Sequence, residues 1–384
     1  MPIRSLALLL ATTLLSACST LNSAVDALNP FSASSSKSKA APLAPFSPSA
    51  ELRVLWQSSV GDSGVHTLVP AVVGSSVYAA ASNGTLARFD AGREAWRATV
   101  GKAITGAVGS DGVHVAVGGP RGEVYLYDVN GKLLWKGQLS SEVLAPPLVT
   151  ADSVLVRSGD HRLHALSLAN GDRQWLYQRQ TPPLALRAIS GLTRANNTLL
   201  AGFPGGKLVA IDLKTGALLW ETTVALPRGA TELERVADVV GTPAVIGNDV
   251  CVVAYQGRAG CFDLSNGRPY WSREMSSLVG VTVDSRNVYI ADDRGNVHAL
   301  ERSSGASVWR QDALAYRGLS RPIVVGDHLL VGDAEGVVHL LKRSNGSLAA
   351  RLNLDGPIAA DPQPFGDAVV LQTRRGSLYA LAAR

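Results

Sequence analysis

Short stretches in which apolar and polar residues alternate recur from residue 51 to the end of the chain. Residues 86–90 and 124–128 are examples, and each follows a second apolar stretch, such as residues 77–80, after a tight turn that contains glycine. Alternation with a period of two is typical of a half-buried β-strand, whereas an amphipathic helix repeats every ~3.6 residues. No helical period is visible in this region, so the pattern predicts an all-β structure.

The tryptophans divide the same region into units of similar length. All seven lie at intervals of 38 to 51 residues, at Trp56, Trp96, Trp135, Trp175, Trp220, Trp271 and Trp309. The later ones follow a turn such as Asn130-Gly131, and the eighth copy of that turn, Asn345-Gly346, leads to Ala350 instead. Each unit holds four short strands in about 42 residues, the size of a propeller blade. The sequence therefore predicts an eight-bladed β-propeller of four-stranded antiparallel blades over residues 51–384.

The two ends of the repeat region predict how the ring closes. Residues 52–56 form a strand of the fourth type with no blade before it, and residues 378–381 form a strand of the third type with none after it. A blade left with three strands exposes an unpaired edge, which native sheets avoid. We therefore expect the N-terminal strand to complete the last blade.

The first fifty residues predict export and anchoring. Residues 1–17 carry Arg4 before a short apolar run and lead into Leu15-Ser16-Ala17-Cys18, which is similar to the cleavage and lipidation site of bacterial lipoproteins. These features predict a signal peptide over residues 1–17 and acylation (palmitate) of Cys18. Ser19, rather than Asp, follows this cysteine, which favours sorting to the outer membrane. Residues 18–50 are then the lipidated cysteine and a flexible tether rich in Ala, Ser and Pro.

Composition and motifs exclude several classes of function. Of the 384 residues, 46% are hydrophobic and 17% are charged, and the net charge of +5 is too small for a dedicated nucleic-acid-binding protein. There is no P-loop, and the serine-protease-like stretch Gly61-Asp62-Ser63-Gly64 precedes all seven histidines, which breaks the chain order of that triad. His161 and His164, three apart, would face opposite sides of a strand. We expect no catalytic residue and no metal site.

Cys251 and Cys261 flank a predicted hairpin turn at residues 255–257. A three-residue loop would place the two cysteines opposite each other on paired strands, and a periplasmic location permits a disulfide. Two alternatives stay open on the sequence alone: a disulfide between Cys251 and Cys261, or two free thiols in the core.

The repeat is interrupted twice, in consecutive units. The interval from Trp175 to Trp220 is 45 residues and the next one, to Trp271, is 51. The extra residues fall near 181–187 and 227–238, at equivalent points of neighbouring blades, so we expect the two inserts to lie side by side. They combine apolar side chains, arginine and carboxylates, a mixture typical of a protein–protein interface.

The repeating pattern Gly-x-Leu/Val-x-Ala-Leu/Ile-Asp-x-x-Asn/Thr-Gly-x-x-x-Trp resembles the PQQ-type propeller repeat over nearly all of residues 51–384. Two branches of that family compete. The quinoprotein dehydrogenases hold pyrroloquinoline quinone and Ca²⁺ over the ring, but they are usually longer and carry an adjacent cysteine pair that is absent here. The BamB family of lipoproteins, part of the machinery that assembles β-barrel proteins into the outer membrane, has the plan found here: a lipidation site, a short tether and a ring.

The BamB resemblance implies a non-enzymatic scaffold without a cofactor, anchored by lipid to the outer membrane with its body facing the periplasm. It also implies contacts with the periplasmic domains of BamA and the rest of the barrel-assembly complex. The family's Leu-x-Leu-Arg stretch and its acidic segment match this sequence at Leu184, Leu186 and Arg187 and at Glu232, Arg235 and Asp238, whereas Val240 stands where the family has a second aspartate.

Alternative functions stay open on the sequence alone. One is a quinone-binding oxidoreductase of the PQQ-dependent dehydrogenase type, or its remnant, and another is a lipoprotein that binds the cell wall. Within the assembly hypothesis, the strand-rich blades are also a candidate surface for nascent outer-membrane proteins, which would add a strand to a blade edge.

Overall fold

The computed structural model describes residues 39–384. The predicted signal peptide, the predicted lipidation of Cys18 and the tether up to residue 38 lie outside the described residues. No helix of the described part is long and apolar enough to cross a membrane.

The described chain consists of 32 strands joined by turns and loops. They are β1 (Leu52–Ser59), β2 (Ala71–Val73), β3 (Ser76–Ala80), β4 (Thr85–Asp90), β5 (Arg93–Thr99), β6 (Val108–Ser110), β7 (His114–Gly118), β8 (Glu123–Asp128), β9 (Leu133–Gln138), β10 (Leu148–Val149), β11 (Ser153–Arg157), β12 (Leu163–Ser167), β13 (Arg173–Tyr177), β14 (Leu192–Ala195), β15 (Thr198–Phe203), β16 (Lys207–Asp212), β17 (Leu218–Thr223), β18 (Val239–Ile246), β19 (Asp249–Ala254), β20 (Arg258–Asp263), β21 (Pro269–Glu274), β22 (Val281–Val283), β23 (Asn287–Ala291), β24 (Val297–Glu301), β25 (Ser307–Gln311), β26 (Ile323–Val325), β27 (His328–Gly332), β28 (Val337–Lys342), β29 (Leu348–Asn353), β30 (Gln363–Phe365), β31 (Ala368–Gln372) and β32 (Ser377–Ala383).

These strands form eight four-stranded antiparallel sheets, which confirms the predicted eight-bladed β-propeller. Blade 1 is β2–β5, and each following group of four strands makes the next blade up to blade 7, which is β26–β29. Blade 8 combines β30, β31 and β32 from the end of the chain with β1 from its beginning. β1 pairs antiparallel with β32 from Leu52 opposite Ala383 to Ser59 opposite Ser377, so the ring closes as predicted.

The connections lie on two opposite faces of the ring. On one face, which we call the insert face, each loop between blades packs on the hairpin between the second and third strands of a blade. One example is Val100 N–H, which donates to the Gly84 carbonyl at 2.8 Å. On the other face, the turn face, the first and third turns of blades 3 to 7 bond to each other, as Leu213 N–H does to the Asn197 carbonyl at 2.8 Å.

The tryptophans join neighbouring blades on the turn face. Each one packs against the turn glycine of the following blade, and a Cβ added there would come within 2.4 to 2.8 Å of the Trp side chain. The pairs are Trp56 with Gly92, Trp96 with Gly131, Trp135 with Gly171, Trp175 with Gly216, Trp220 with Gly267, Trp271 with Gly305 and Trp309 with Gly346. Because these glycines have φ between +71° and +83°, a side chain there would be strained as well as crowded.

Ala350 occupies the eighth tryptophan position for a reason that follows from ring closure. The next blade is blade 8, whose third and fourth strands come from opposite ends of the chain, so it has no turn glycine for an indole to cover. The chain covers this junction instead, because the N–H groups of Ser49 and Ala50 donate to the Ala349 carbonyl at 2.9 and 3.2 Å. Ala349 and Ala350 are buried there.

Residues 41–50, which the sequence assigned to the flexible tether, lie along the ring as a strap. Ala41 N–H donates to the Ala315 carbonyl at 2.9 Å, and the Arg317 guanidinium donates to the Ala41 carbonyl at 3.0 Å. Phe46 lies 4.9 Å from the guanidinium of Arg351. The proline-rich composition that hid any strand pattern here is compatible with extended chain that bonds to blade residues one group at a time.

The two remaining cysteines lie in the core of blade 5. Cys251 on β19 is directly opposite Cys261 on β20, with 4.1 Å between their Cα atoms, and their sulfur atoms are bonded. Both side chains are buried in an apolar cluster with Trp271, and Leu186 of the first insert packs against this cluster. The apolar cluster that contains the disulfide is therefore in contact with one of the two inserts.

Candidate partner-binding site

The first insert is the loop of residues 178–191 between blades 3 and 4. It begins after β13 and ends at β14, where the Ser190 hydroxyl donates to the Val239 carbonyl at 3.2 Å. Leu184 is 41% exposed near its tip, and Arg187 is also exposed. Proline at positions 182 and 183 removes two backbone donors, which suits a loop that makes no ladder of its own.

The second insert, residues 224–238, joins blade 4 to blade 5 and is shaped by a local capping arrangement. The Glu234 carboxylate accepts hydrogen bonds from Ala230 N–H and Thr231 N–H at 2.8 and 3.1 Å, and Thr231 Oγ1 accepts one from Glu234 N–H at 3.2 Å. The backbone hydrogen bond from Thr231, followed by the one from Ala230, lowers the pKa of the Glu234 carboxyl. This turn holds Leu233 outward, 70% exposed.

Asp238 ties the two inserts together. It is only 4% exposed, and its carboxylate accepts hydrogen bonds from Leu186 N–H at 2.6 Å and from Gly205 N–H at 3.2 Å. Hydrogen bonds from neutral donors to a buried carboxylate are stronger than those between neutral groups. The conformation of the first insert therefore depends on a residue at the end of the second.

The positive charge of Arg187 on the first insert affects two titratable groups on other loops, Glu142 and His66. One guanidinium nitrogen lies 3.4 Å from the Glu142 carboxylate. The Ser141 hydroxyl, which donates to Glu142 at 2.6 Å, and then Arg187 lower the pKa of the Glu142 carboxyl. Burial, followed by the positive charge of Arg187, lowers the pKa of His66 on the loop before blade 1.

Exposed apolar side chains on the connections are concentrated on the insert face. In the described part of the chain, the large apolar side chains that are clearly exposed on loops of this face are Val65, Leu184, Leu226, Leu233, Leu278 and Tyr316. On the turn face, Val113 is the corresponding exposed side chain, at 59%. Apolar groups gathered on one face and bordered by charges are typical of a surface that binds another protein.

The structure separates the six residues predicted as partner contacts into two groups. Leu184, Arg187, Glu232 and Arg235 are exposed on neighbouring loops, and Arg235 lies 3.5 Å from Glu232. Leu186 is half-buried against the apolar cluster of blade 5, and Asp238 is buried, so both support the surface from below. Val240 is a buried residue of β18, which explains why an apolar side chain suits this position.

Two polar residues beneath the first insert were not predicted to belong to the site, and one of them, His161, was considered only as a metal ligand. Arg157 at the end of β11 and His161 in the following hairpin line a small cavity together with Glu142, Leu186 and Arg187. The signal was present, because both positions differ from their counterparts in the other blades. The alternation and the tryptophan spacing that predict the blades do not depend on these two positions.

Loops of several blades converge around a cavity on the insert face. This cavity of about 560 Å³ is lined mainly by apolar side chains, including Leu186, Ile189, Leu319 and Ile358. Within residues 39–384, no group of three or more His, Cys, Asp or Glu is arranged to hold a metal ion.

Comparison with known proteins identifies close relatives across nearly the whole chain. The family model described as "Outer membrane protein assembly factor BamB" matches residues 82–311 and 305–384. A Bordetella pertussis protein of that name is 41% identical over 364 residues, which cover 94% of this chain and 94% of that protein. A Burkholderia pseudomallei protein of the same name is 39% identical over 347 residues, covering 89% and 91%.

Among solved structures, a BamB protein matches this chain better than a quinoprotein dehydrogenase does. The crystal structure of BamB from Moraxella catarrhalis matches with a TM-score of 0.81 at 28% identity, covering 86% of this chain and 100% of that one. The quinohemoprotein alcohol dehydrogenase from Comamonas testosteroni matches with a TM-score of 0.70 at 12% identity, covering 86% and 76%. A likeness at this low identity extends to the fold alone.

Proposed function

This chain belongs to the BamB family of outer membrane protein assembly factors, and on that premise we propose that its insert face binds the periplasmic domains of BamA. Its role is that of a non-enzymatic scaffold in outer membrane protein assembly, as a member of the barrel-assembly complex associated with the outer membrane. Its likeness to quinoprotein dehydrogenases is confined to the propeller fold.

One observation carries the proposal of BamA binding: two consecutive inserts are joined by the buried Asp238 and present apolar and charged side chains on the same face. Leu184 and Leu233 supply exposed apolar side chains, and Arg187, Glu232 and Arg235 supply exposed charges on the same two loops. A centre of apolar side chains with a polar rim is the usual anatomy of a specific interface. Arginine and large side chains also dominate the binding energy of such surfaces.

We further propose that Cys18 carries the lipid and that the ring lies in the periplasm. If residues 18–40 are fully extended, their length allows the ring to stand up to roughly 75 Å from the anchor. This reach would let the insert face meet a partner well away from the lipid surface. Metabolic labelling with palmitate, with Cys18→Ser as the unlabelled control, tests the anchor.

Replacement of the exposed residues of the first insert should weaken BamA binding without affecting the fold. We expect Leu184→Ser with Arg187→Ala to reduce the affinity for the soluble periplasmic domains of BamA by about tenfold to a few hundredfold, because the two exposed side chains together should contribute about 1.5–3.5 kcal/mol, ~1.4 kcal/mol being tenfold. Isothermal titration calorimetry measures the affinity.

A matched pair on the turn face is the control for this experiment. Val113 and Lys214 are an exposed apolar residue and an exposed basic residue there, so Val113→Ser with Lys214→Ala likewise removes one apolar and one basic side chain, but on the opposite face. This control should bind BamA as the unaltered ring does. Equal losses in both variants, or no loss in the insert variant, would reject the proposed surface.

The outer strands are a second candidate surface, for nascent outer-membrane proteins. Adjacent apolar side chains are exposed at Leu133 and Leu134 on β9 and at Leu218 and Leu219 on β17. An extended segment could add to such an edge through backbone hydrogen bonds. A photo-crosslinker at position 219 that captures newly exported barrel proteins would support this role, and capture of none would count against it.

A further inference from the structure

The hairpin between the second and third strands of blade 3 departs from the repeat. The other seven blades have glycine at one turn position, namely Gly84, Gly122, Gly206, Gly257, Gly295, Gly336 and Gly376, whereas blade 3 has His161 there with φ of +62°. At most of these glycines a Cβ would meet the backbone of the adjoining loop, for example the Lys102 carbonyl oxygen at 2.2 Å. The ring therefore has no room for a side chain at this position, except in the blade that precedes the first insert.

A second departure lies four residues earlier. The register of the hairpins aligns Arg157 with Ala80, Gly118, Gly202, Val253, Ala291, Gly332 and Gln372. Arg157 is thus the charged member of a set of small or neutral residues, although it is only 8% exposed. Its guanidinium donates to the Gly202 carbonyl of blade 4 and lies 4.9 Å from the centre of the Phe203 ring.

These two residues line a cavity of about 110 Å³ that we call the Arg157 pocket. Its other walls include Glu142, Ser158, Leu186 and Arg187, so the first insert forms its roof. One Arg157 nitrogen is 3.5 Å from His161 Nδ1. Since a water molecule takes up roughly 30 Å³, the space suits the end of a side chain rather than a sugar or a nucleotide.

Arg157 has no carboxylate partner within 4.0 Å in the described chain, and the nearby acids are engaged elsewhere. Asp238 accepts two backbone N–H groups, Glu142 pairs with Arg187 and accepts from Ser141, and Asp160 accepts from Ser140 and pairs with Arg162. Burial lowers the pKa of Arg157 to about 10 even though the charge of Asp238 raises it. A buried cation without a direct counter-ion is costly, and a bound anion offsets that cost.

We propose that the Arg157 pocket is a carboxylate-binding site that receives an Asp or Glu side chain of the protein docked on the insert face. This inference rests on the proposed function, because the partner supplies the carboxylate. The planar guanidinium matches two carboxylate oxygens, and the pocket opens beside Arg187, which can turn from Glu142 to the incoming acid. In this arrangement Glu142 is the internal competitor for the partner's carboxylate.

Acetate is a direct probe of the site and needs no partner. In the unaltered full-length protein, the amide NMR signals of His161 and Leu186 should shift saturably with acetate and not with chloride at equal ionic strength. Arg157→Gln is the matched variant, because Gln372 occupies the same position in blade 8 and makes the equivalent bond to the Ala80 carbonyl at 2.9 Å. This variant should melt as the unaltered protein does but lose the acetate response, whereas Glu142→Gln should bind acetate severalfold more tightly. An identical acetate response in the unaltered and Arg157→Gln proteins, or no saturable response in either, would overturn the proposal.

Binding measurements with BamA distinguish a failure of this inference from a failure of the proposed function. Arg157→Gln should lower affinity for the periplasmic domains of BamA about tenfold, and one acidic residue of BamA, when neutralised, should cost the same without adding to it. If the unaltered ring fails to bind BamA at all, the proposed function is wrong, and the acetate result alone decides whether the carboxylate site exists. If the unaltered ring binds BamA but Arg157→Gln binds equally well, only the pocket's role is wrong.

Discussion

A chain that begins at Val60, and so lacks β1, is expected to lose cooperative folding of the entire ring. Seven residues of β1 pair with β32, and Trp56 on β1 also covers Gly92 of blade 1. Removing β1 therefore breaks blade 8 and its junction with blade 1 together. A ring opened in this way exposes the edge of β32 and apolar surface on both sides of the gap.

A chain that begins at Glu51 is the control, because it loses the strap but keeps β1. We expect it to unfold in one sharp transition by circular dichroism, at a somewhat lower temperature than the full chain because the contacts of the strap are absent. The chain from Val60 should show no sharp transition and should be digested rapidly by protease. An unchanged transition in the chain from Val60 would contradict the closure by β1.

Trp135→Ala is expected to destabilise the ring by about 3–5 kcal/mol, the range for removing a large buried aromatic side chain. Trp135 is 8% exposed, packs on Gly171 of the next blade, and its Nε1–H donates to the Leu168 carbonyl at 2.8 Å. The substitution leaves a cavity between two blades and a carbonyl without its donor. Urea denaturation measures the change in the free energy of unfolding.

The neighbouring residue provides the matched control. Leu134 is 44% exposed on the same strand, and Leu134→Ala should change the free energy of unfolding by less than about 0.5 kcal/mol. Similar losses for Trp135→Ala and Leu134→Ala would mean that the tryptophan does not join the blades as described.

The fold could be predicted from the sequence because the pattern of one four-stranded blade is repeated eight times along the chain. Alternation predicted the strands, the tryptophan spacing predicted the blades, and the unpaired ends predicted the closure. β4 and β8 contain the predicted residues 86–90 and 124–128, and each begins one residue earlier. The sequence shows that Ala350 occupies the eighth tryptophan position, but it does not explain the alanine. The explanation depends on which blade follows Ala350 in the closed ring. That neighbour is fixed only by the pairing of β1 with β32.

The site was predicted less completely, for a different physical reason. Spacing shows where a loop is longer, but it does not show which side chain of the loop turns inward. Asp238 turns inward because two backbone N–H groups, of Leu186 and Gly205, converge on it from other parts of the chain. The sequence shows an aspartate at this position in either case, whether the side chain contacts a partner or supports the loop that contacts it.

The contacts of residues 41–50 with the ring could also not be predicted from the sequence, because this segment has no repeating pattern. These contacts are single backbone hydrogen bonds and the packing of Phe46 against Arg351. Such contacts impose no period on the sequence, so they could not be distinguished from a free tether. The strap ends where it fills the junction beside Ala349 that lacks a tryptophan.

Site-specific photo-crosslinking in cells shows whether the insert face of this scaffold binds BamA. A crosslinking amino acid is placed at Leu184 or Leu233 on the insert face, or at Val113 on the turn face, each in an otherwise unaltered chain. Binding by the insert face predicts a BamA adduct from positions 184 and 233 and none from position 113. An adduct from position 113 alone, or no BamA adduct from either insert, would contradict it.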